Sequence, residues 1–295
     1  MFLIQAKAKR KKQMETIDTL SNWLTYQPET KPFVFSFIRV TEKSKPDINI
    51  TKLLQEKLIF SYGTEKYYSH YFKENSTEEE IRKFVIDKVI PAENNQFDRN
   101  VRQGDWGEIL ASLIVVYFQK LEIPINKLQW KFHKDKSVFC TDLIAFNNAD
   151  KIEDIYYYEI KTRQNPDKKE ESKQFISVLA YNSLLKDAES PSDAIVNFLY
   201  KLYIEKEKYE TADKFKDIMK NPHKYNKKYE IFLIVESTKF NTNMLDDLNI
   251  LQPTLSPLNI TIVLIDNLKQ LVENTWKDIE NILIKKYKTD GNTSV

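Results

Sequence analysis

The sequence is poor in the residues that build several common kinds of functional site. Its 295 residues include only four glycines, and no G-x-x-x-x-G-K-[ST] or G-x-G-x-x-G pattern is present to cradle the phosphates of a nucleotide. We therefore expect no nucleotide-driven motor in this chain. The three histidines, His70, His133 and His223, are too widely separated to follow the spacing of zinc ligands.

Cysteine and long apolar runs are also scarce, which limits the cellular compartments that the sequence fits. The single thiol, Cys140, excludes an internal disulfide and fits a reducing compartment. The longest strongly apolar run, 109–118, is too short to cross a bilayer. At the N-terminus the apolar residues precede a basic cluster, which is the reverse of a secretory signal. We expect a cytoplasmic protein.

Net charge of one sign is nearly absent. The chain has 45 basic and 43 acidic residues, a formal charge of +2. A protein that coats nucleic acid carries a much larger positive charge, so any nucleic-acid binding must use a local patch or a partner. Apolar residues make up 41% of the chain and charged residues 30%, which is typical of a globular protein with a sizeable core.

The order of predicted elements indicates an α/β fold. Residues 1–98 form an N-terminal α+β region, with a strand at 33–40, helices around 50–58 and 76–90, and a polar boundary at 92–100. Residues 99–295 form a second domain with a mixed central sheet flanked by helices. Its predicted elements are a helix at 102–121, strands at 128–133, 138–146 and 155–161, a helix at 167–187, a helical insertion at about 191–228, strands at 230–235 and 260–265, and a helix at 267–286.

The most informative motif is Tyr158-Glu159-Ile160-Lys161 on a predicted strand. Side chains alternate across a strand, so Glu159 and Lys161 point to one face and Ile160 to the other. An acid and an amine side by side beside a run of tyrosines are unusual in a buried strand. The E-x-K pattern alone is a weak signal, because a solvated pair on an exposed strand has the same spacing.

Asp142 strengthens the case for chemistry. On the predicted strand 138–146 it shares a face with Val138, Cys140, Ile144 and Phe146. Burying a lone carboxylate is costly, so a basic partner, backbone donors or a metal must neutralise it. A salt bridge to Lys161 is one solution. Because Asp142 and Glu159 lie on consecutive strands, the two carboxylates can also lie close together and invite a divalent cation.

The start of the predicted helix 102–121 carries a third feature, Gly104-Asp105-Trp106-Gly107-Glu108. Glycines there permit a close approach to the sheet or to a ligand. Asp105 can be explained as an acid in the first turn of a helix. The same explanation is open for Glu108, but Glu108 also borders the uncharged run 109–118 and is the stronger candidate for a functional acid.

Together these residues resemble the PD-(D/E)xK nuclease superfamily. The resemblance covers roughly residues 100–265: an acid on the first helix, Asp142 on a second strand, and Glu159-Ile160-Lys161 on a third. Thr141 stands where the superfamily often has proline. The arrangement, with a separate N-terminal region, is more narrowly similar to the HamA family, the nuclease subunits of Hachiman anti-phage defence systems. The resemblance implies a restriction-endonuclease-like core.

The resemblance also implies roles for individual residues. Asp142 and Glu159 would hold Mg²⁺, for which Mn²⁺ can substitute, and Ile160 would add its backbone carbonyl. Lys161 would position or deprotonate the attacking water. Glu108 would contact the metal or its water shell. Two carboxylates without histidine or cysteine suit Mg²⁺ and disfavour Zn²⁺.

The function expected from this resemblance is metal-dependent hydrolysis of phosphodiester bonds in DNA. The chain would be the effector subunit of a defence complex, forming a heterodimer with a helicase of the HamB kind. Residues 1–98 would provide the docking surface, and their removal would leave the nuclease core folded. Two alternatives remain: a non-cleaving, nuclease-like scaffold that positions DNA or assembles with the helicase, and an RNA-cleaving toxin.

Overall fold

Runs of β-branched and aromatic residues build a central six-stranded sheet. The computed structural model describes residues 15–72, 76–135, 141–148, 151–166, 174–189 and 193–288. The strands are β1 (Leu24–Glu29), β2 (Ser36–Glu42), β3 (Leu143–Phe146), β4 (Asp154–Arg163), β5 (Asn226–Glu236) and β6 (Leu258–Ile265). Their order across the sheet is β1-β2-β6-β5-β4-β3.

The sheet is mixed, with a parallel centre and antiparallel edges. The four central strands, β2, β6, β5 and β4, run parallel to one another. The edge strands are antiparallel to them: β1 pairs with β2, and β3 pairs with β4. β5 and β6 are buried on both faces, as expected for central parallel strands covered by helices.

Helices cover both faces of the sheet. They are α1 (15–23), α2 (Ile48–Tyr62), α3 (Glu65–Tyr71), α4 (Glu78–Phe84), α5 (Gln96–Tyr117), α6 (Ile176–Ala188), α7 (Ala194–Glu205), α8 (Tyr209–Lys220), α9 (Asn243–Leu251), α10 (Leu268–Trp276) and α11 (Asn281–Tyr287). A π-helix, Val85–Val89, continues α4, and a short 3₁₀ helix spans Lys127–Trp130. None of the helices in the described ranges combines the length and hydropathy that a bilayer crossing requires.

Two apolar clusters form the core, one on each face. Helices α2, α4, α5, α10 and α11 pack on the face that carries Tyr158 and Ile160 of β4. Helices α6, α7, α8 and α9 pack on the face that carries Ile155 and Tyr157. The alternation expected for β4 therefore places Glu159 and Lys161 on the side of α6, and Ile160 on the side of α5.

The sheet is continuous across the predicted division at residues 98 and 99. β2, from the N-terminal region, pairs with β6 over Ser36–Thr41, and α5 runs through the division without a break. Removing residues 1–98 would therefore expose the edge of β6 and one apolar cluster. Docking of a helicase subunit on residues 1–98 stays a prediction. Deleting these residues would not test it, because the deletion would also disrupt the sheet.

Several predicted boundaries differ from the structure. The predicted strand 128–133 is wrong: its first residues belong to the 3₁₀ helix. The polar stretch 92–100 already contains the start of α5, because the Asn95 side chain caps it by accepting from the Asp98 N–H. The final predicted helix is two helices, α10 and α11.

The strand predicted to carry Asp142 is also shorter than expected. β3 begins at Leu143, so Asp142 lies just before it rather than inside it. Val138 and Cys140 lie outside the described residues. The backbone N–H of Asp142 still donates to the Tyr158 carbonyl at 3.2 Å, so Asp142 remains registered against β4.

Candidate active site at the edge of the sheet

Close packing of α5 on β4 fixes the position of Glu108. A Cβ built on Gly107 would overlap Thr162 Oγ1 and lie 3.2 Å from Thr162 Cβ, whereas no atom of the described residues lies within 4 Å of a Cβ on Gly104. Gly107 thus permits a close approach to the sheet, and Gly104 has no such requirement. The contact brings Glu108, the next residue, to the β3–β4 edge.

Lys127 joins two of the predicted acids. Its Nζ lies 2.7 Å from Asp142 Oδ1 and 3.4 Å from Glu108 Oε1. The Lys127 side chain is 4% exposed. Burial lowers the pKa of Lys127, but Glu108 and Asp142 outweigh burial and raise it above its ordinary value. Lys127 is therefore a fixed positive charge between Glu108 and Asp142, and sequence analysis missed it.

Asp142 also contacts the motif strand. Its Oδ2 accepts a hydrogen bond from the Ile160 N–H at 2.8 Å. In a strand the N–H and C=O of one residue point to the same side. The Ile160 carbonyl therefore points toward Asp142 too, past the end of β3. Two backbone-defined contacts, with Tyr158 and Ile160, hold Asp142 beside the E-x-K motif.

Glu159 and Lys161 form a pair on the other face of β4. Lys161 Nζ lies 2.5 Å from Glu159 Oε1, and the Lys161 side chain is 30% exposed. Glu159 is only 2% exposed, and its Oε2 is buried without a hydrogen-bond partner among the described residues. Burial first, and then the charge of Asp142, raise the pKa of Glu159 to about 7, while Lys161 opposes them.

The surroundings of Glu108 also disfavour its ionised form. Burial raises its pKa to about 8, Lys127 opposes the rise, and Asp142 and Asp105 add to it. Glu108, Asp142 and Glu159 thus lie in one region, which we call the acidic region. Glu108 approaches from the α5 side, Glu159 from the α6 side, and Asp142 lies between them at the edge.

Helix α6 contributes two residues that the sequence did not indicate. The hydroxyl of Ser183 lowers the pKa of Glu159. One turn later, Asp187 Oδ2 accepts a hydrogen bond from Thr141 Oγ1 at 3.2 Å. Burial and the charge of Asp142 raise the pKa of Asp187. Asp187 is therefore a fourth acid of the region, next to the turn that carries Asp142.

A second buried ion pair lies beside the first. Lys131 Nζ contacts both oxygens of Asp105, at 2.8 and 2.5 Å, and the Tyr62 hydroxyl donates to the same carboxylate. The interpretation of Asp105 as a first-turn acid is wrong, because α5 begins nine residues earlier and Asp105 is buried. Lys127 and Lys131 together fasten the 127–131 segment to α5.

The oxygen ligands available here suit Mg²⁺ by chemical type. Asp142, Glu159 and the Ile160 carbonyl are hard donors, and Glu159 Oε2 has an unused lone pair in a buried position. Across the described ranges, no three His, Cys, Asp or Glu side chains are grouped so that they could hold a metal ion. The expected contact of Glu108 with the metal or its water shell stays a prediction, because Lys127 lies between Glu108 and Asp142. The other expected ligands are Asp142, Glu159 and the Ile160 carbonyl.

The four site residues predicted from sequence therefore lie in one region, and Lys127 and Asp187 join them there. No curated protein matches the chain. A family model, HamA, matches residues 31–289, which covers β2 to β6, α2 to α11 and every residue of the candidate site. The chain belongs to the HamA family of Hachiman defence systems.

Proposed function

We propose that the chain is a Mg²⁺-dependent deoxyribonuclease that hydrolyses phosphodiester bonds through a PD-(D/E)xK-type site. The observation that carries this proposal is the contact of Asp142 with the motif strand. Asp142 Oδ2 is bound to the Ile160 N–H, in the middle of Glu159-Ile160-Lys161, so the aspartate, the glutamate, the lysine and the Ile160 carbonyl meet at one edge.

The charge balance of this edge supports a divalent cation. Among the residues that the structure describes, four acids, Glu108, Asp142, Glu159 and Asp187, face two amines, Lys127 and Lys161. Burial first, with a smaller contribution from the charge of Asp142, raises the pKa values of Glu108, Glu159 and Asp187, so a bound cation would stabilise their ionised forms. Like charges at close range raise one another's pKa unless a cation is supplied.

Each residue then has a role that its position allows. Asp142 and Glu159, with the Ile160 carbonyl, would hold Mg²⁺, or Mn²⁺ in its place. When bound, the ion supplies a Lewis acid and lowers the pKa of bound water. Lys161 reaches solvent and would position or deprotonate the attacking water, or stabilise charge on the phosphoryl oxygens. Lys127 orients Asp142, and Glu108 anchors Lys127.

Family membership supports a role beside a helicase in anti-phage defence. We propose a heterodimer in which a HamB-like helicase subunit senses DNA and restrains cleavage, in keeping with the lack of a phosphate-binding loop in this sequence. Docking by the N-terminal region is tested with Ile48→Lys, an exposed site at the start of α2. This variant should lose co-purification with the helicase subunit; full retention would count against docking at this surface.

The test of the enzyme is nicking of supercoiled plasmid DNA, with and without the helicase subunit, in Mg²⁺ or Mn²⁺. Glu159→Gln and Lys161→Met should each remove cleavage, and EDTA should do the same. Glu79→Gln, an exposed acid on α4, is the matched control and should cut like the wild type. Wild-type protein that never cuts DNA under any of these conditions would favour the scaffold, and preferential cutting of labelled RNA in competition would favour the toxin.

A further inference from the structure

A cleft of about 370 Å³ lies beside the candidate active site and differs from it in charge. Among the described residues its lining includes three lysines, Lys88, Lys131 and Lys134, and no aspartate or glutamate. We call it the basic aromatic cleft, because its remaining large side chains are mainly the aromatic rings of Tyr62, Tyr67, Trp130 and Phe132.

The basic aromatic cleft adjoins the candidate active site. Gln129 and Trp130 line both this cleft and a second cleft of about 330 Å³ that contains Glu108, Lys127 and Asp142. The chain makes the same connection, because residues 127–131 carry Lys127 into the acidic region and Lys131 into the basic one. A linear ligand that passes over Gln129 and Trp130 would reach both clefts.

Phe132 is the most unusual residue of the cleft, since its side chain is 97% exposed. The turn that carries it is held on both sides. On one side Lys131 is fixed to Asp105. On the other, Lys134 Nζ donates to the Ile86 carbonyl at 2.9 Å. An exposed phenylalanine ring lacks the roughly 1.5–3 kcal/mol of stabilisation that its burial would provide. Because an anchored turn holds the Phe132 ring in this exposed position, the ring is available to contact a ligand.

The chemistry of the cleft fits a nucleic-acid strand. Every base has a π-face that stacks on an aromatic ring, and the exposed Lys88 can pair with a phosphate. Lys131 is neutralised by Asp105, so it shapes the cleft and does not add to its net charge. An exposed ring can stack only on a base that is not already paired and stacked in a duplex. A globular protein partner would be expected to meet a broad apolar patch, whereas this cleft alternates rings with ammonium groups.

We propose that the basic aromatic cleft binds a single strand of DNA, with an unpaired base stacked on Phe132 and the adjoining phosphodiester directed to the acidic region. This inference rests on the proposed function, because it assumes that DNA is the substrate. It assigns strand binding to residues outside the E-x-K motif.

The test is equilibrium binding of a fluorescein-labelled single-stranded oligonucleotide by fluorescence anisotropy. The full-length Glu159→Gln protein is the parent, so that cleavage does not interfere. Phe132→Ala should weaken binding about tenfold, and Phe132→Trp should restore it. Phe97→Ala is the matched control, since Phe97 is a 62% exposed phenylalanine on α5 outside the cleft, and it should bind like the parent.

Two further readouts identify the contacts. A 2-aminopurine base in the oligonucleotide should change fluorescence on binding to the parent and not to Phe132→Ala. Lys88→Ala should reduce the slope of log Kd against log salt concentration by about 0.7, the value for one phosphate of a single strand. Binding by Phe132→Ala within twofold of the parent would overturn the proposal, as would a parent that binds no single strand.

The outcomes separate this inference from the proposed function. Wild-type protein that cuts DNA while Phe132→Ala binds and cuts normally would refute the cleft and leave the nuclease intact. Binding that depends on Phe132, in a wild-type protein that never cuts, would support the cleft and refute the nuclease. Loss of helicase co-purification alone, with unchanged DNA binding, would assign Phe132 to protein docking and overturn the inference.

Discussion

The same substitution at two positions of one helix should have opposite effects. Gly104 and Gly107 both lie in α5, three residues apart. A new methyl group at Gly104 has no neighbour within 4 Å in the described part of the chain, while one at Gly107 overlaps Thr162 Oγ1. Thr162 is 3% exposed and lies in β4, where the neighbouring strands leave it little freedom to move.

The magnitudes follow from these two environments. Gly104→Ala should stabilise the protein by about 0.5–1 kcal/mol through helix propensity alone. Gly107→Ala gains the same propensity but adds an overpacking cost of roughly 1–3 kcal/mol. We expect the two variants to differ by about 2 kcal/mol in the free energy of unfolding, or roughly 4–8 °C in Tm.

Gly107→Ala should also displace Glu108 from Lys127. Displacement of catalytic groups by about 1 Å can reduce a rate roughly a hundredfold, so we expect plasmid nicking to fall at least tenfold in this variant and to stay unchanged in Gly104→Ala. Thr162 Oγ1 is buried without a partner among the described residues, so Thr162→Ala removes the clash at little cost.

The assay is a double-mutant cycle by urea unfolding, combined with nicking rates. Gly107→Ala/Thr162→Ala should recover at least half of the lost stability and activity, giving a coupling of about 1 kcal/mol or more. If Gly107→Ala is as stable and active as Gly104→Ala, or if the cycle shows no coupling, close packing of α5 on β4 does not position Glu108.

Three other predictions concern buried charge. Glu159→Gln should become more stable relative to wild type as pH rises from 5 to 8, by up to about 3 kcal/mol, because the raised pKa of Glu159 makes the wild-type carboxyl costly to ionise in the folded state. Mg²⁺ should reduce this gain. A difference in Tm between the two proteins that does not change with pH would contradict the prediction. Glu230→Gln should show the same pH trend, since burial raises the pKa of Glu230 to about 7, but without loss of nicking, because Glu230 pairs with Tyr158 and so lies on the face of the sheet opposite Glu159 and Lys161; a large loss would contradict this. Lys127→Met should lose roughly 3–5 kcal/mol and gain a larger Tm increase from Mg²⁺ than wild type does; equal increases would show that Lys127 does not compensate the acids.

The elements that could be predicted from the sequence are those with a strong local pattern. β4, β5 and β6 are runs of β-branched and aromatic residues, and the apolar spacing after residue 102 indicates α5. β1 gave no such signal, because Leu24–Glu29 is partly polar and contains Pro28. An edge strand tolerates that proline, since one side of its backbone has no partner strand.

Some residues of the candidate site could likewise be predicted from the sequence, and others could not. Alternation along β4 was enough to place Glu159 and Lys161 on one face, and the order of elements was enough to bring Asp142 to the motif. Lys127 and Asp187 could not be found this way. Lys127 lies in a short 3₁₀ turn and Asp187 near the end of α6, and the role of each depends on acids that are distant in the sequence.

The most direct test of the account is the anomalous scattering of Mn²⁺ in crystals of the wild-type protein soaked with the ion. The account predicts one strong peak at the β3–β4 edge, coordinated by Asp142, Glu159 and the Ile160 carbonyl at roughly 2.0–2.2 Å, and its loss in Glu159→Gln. Crystals that hold Mn²⁺ elsewhere, or that keep Lys127 on Asp142 with no ion at this edge at millimolar Mn²⁺, would contradict it.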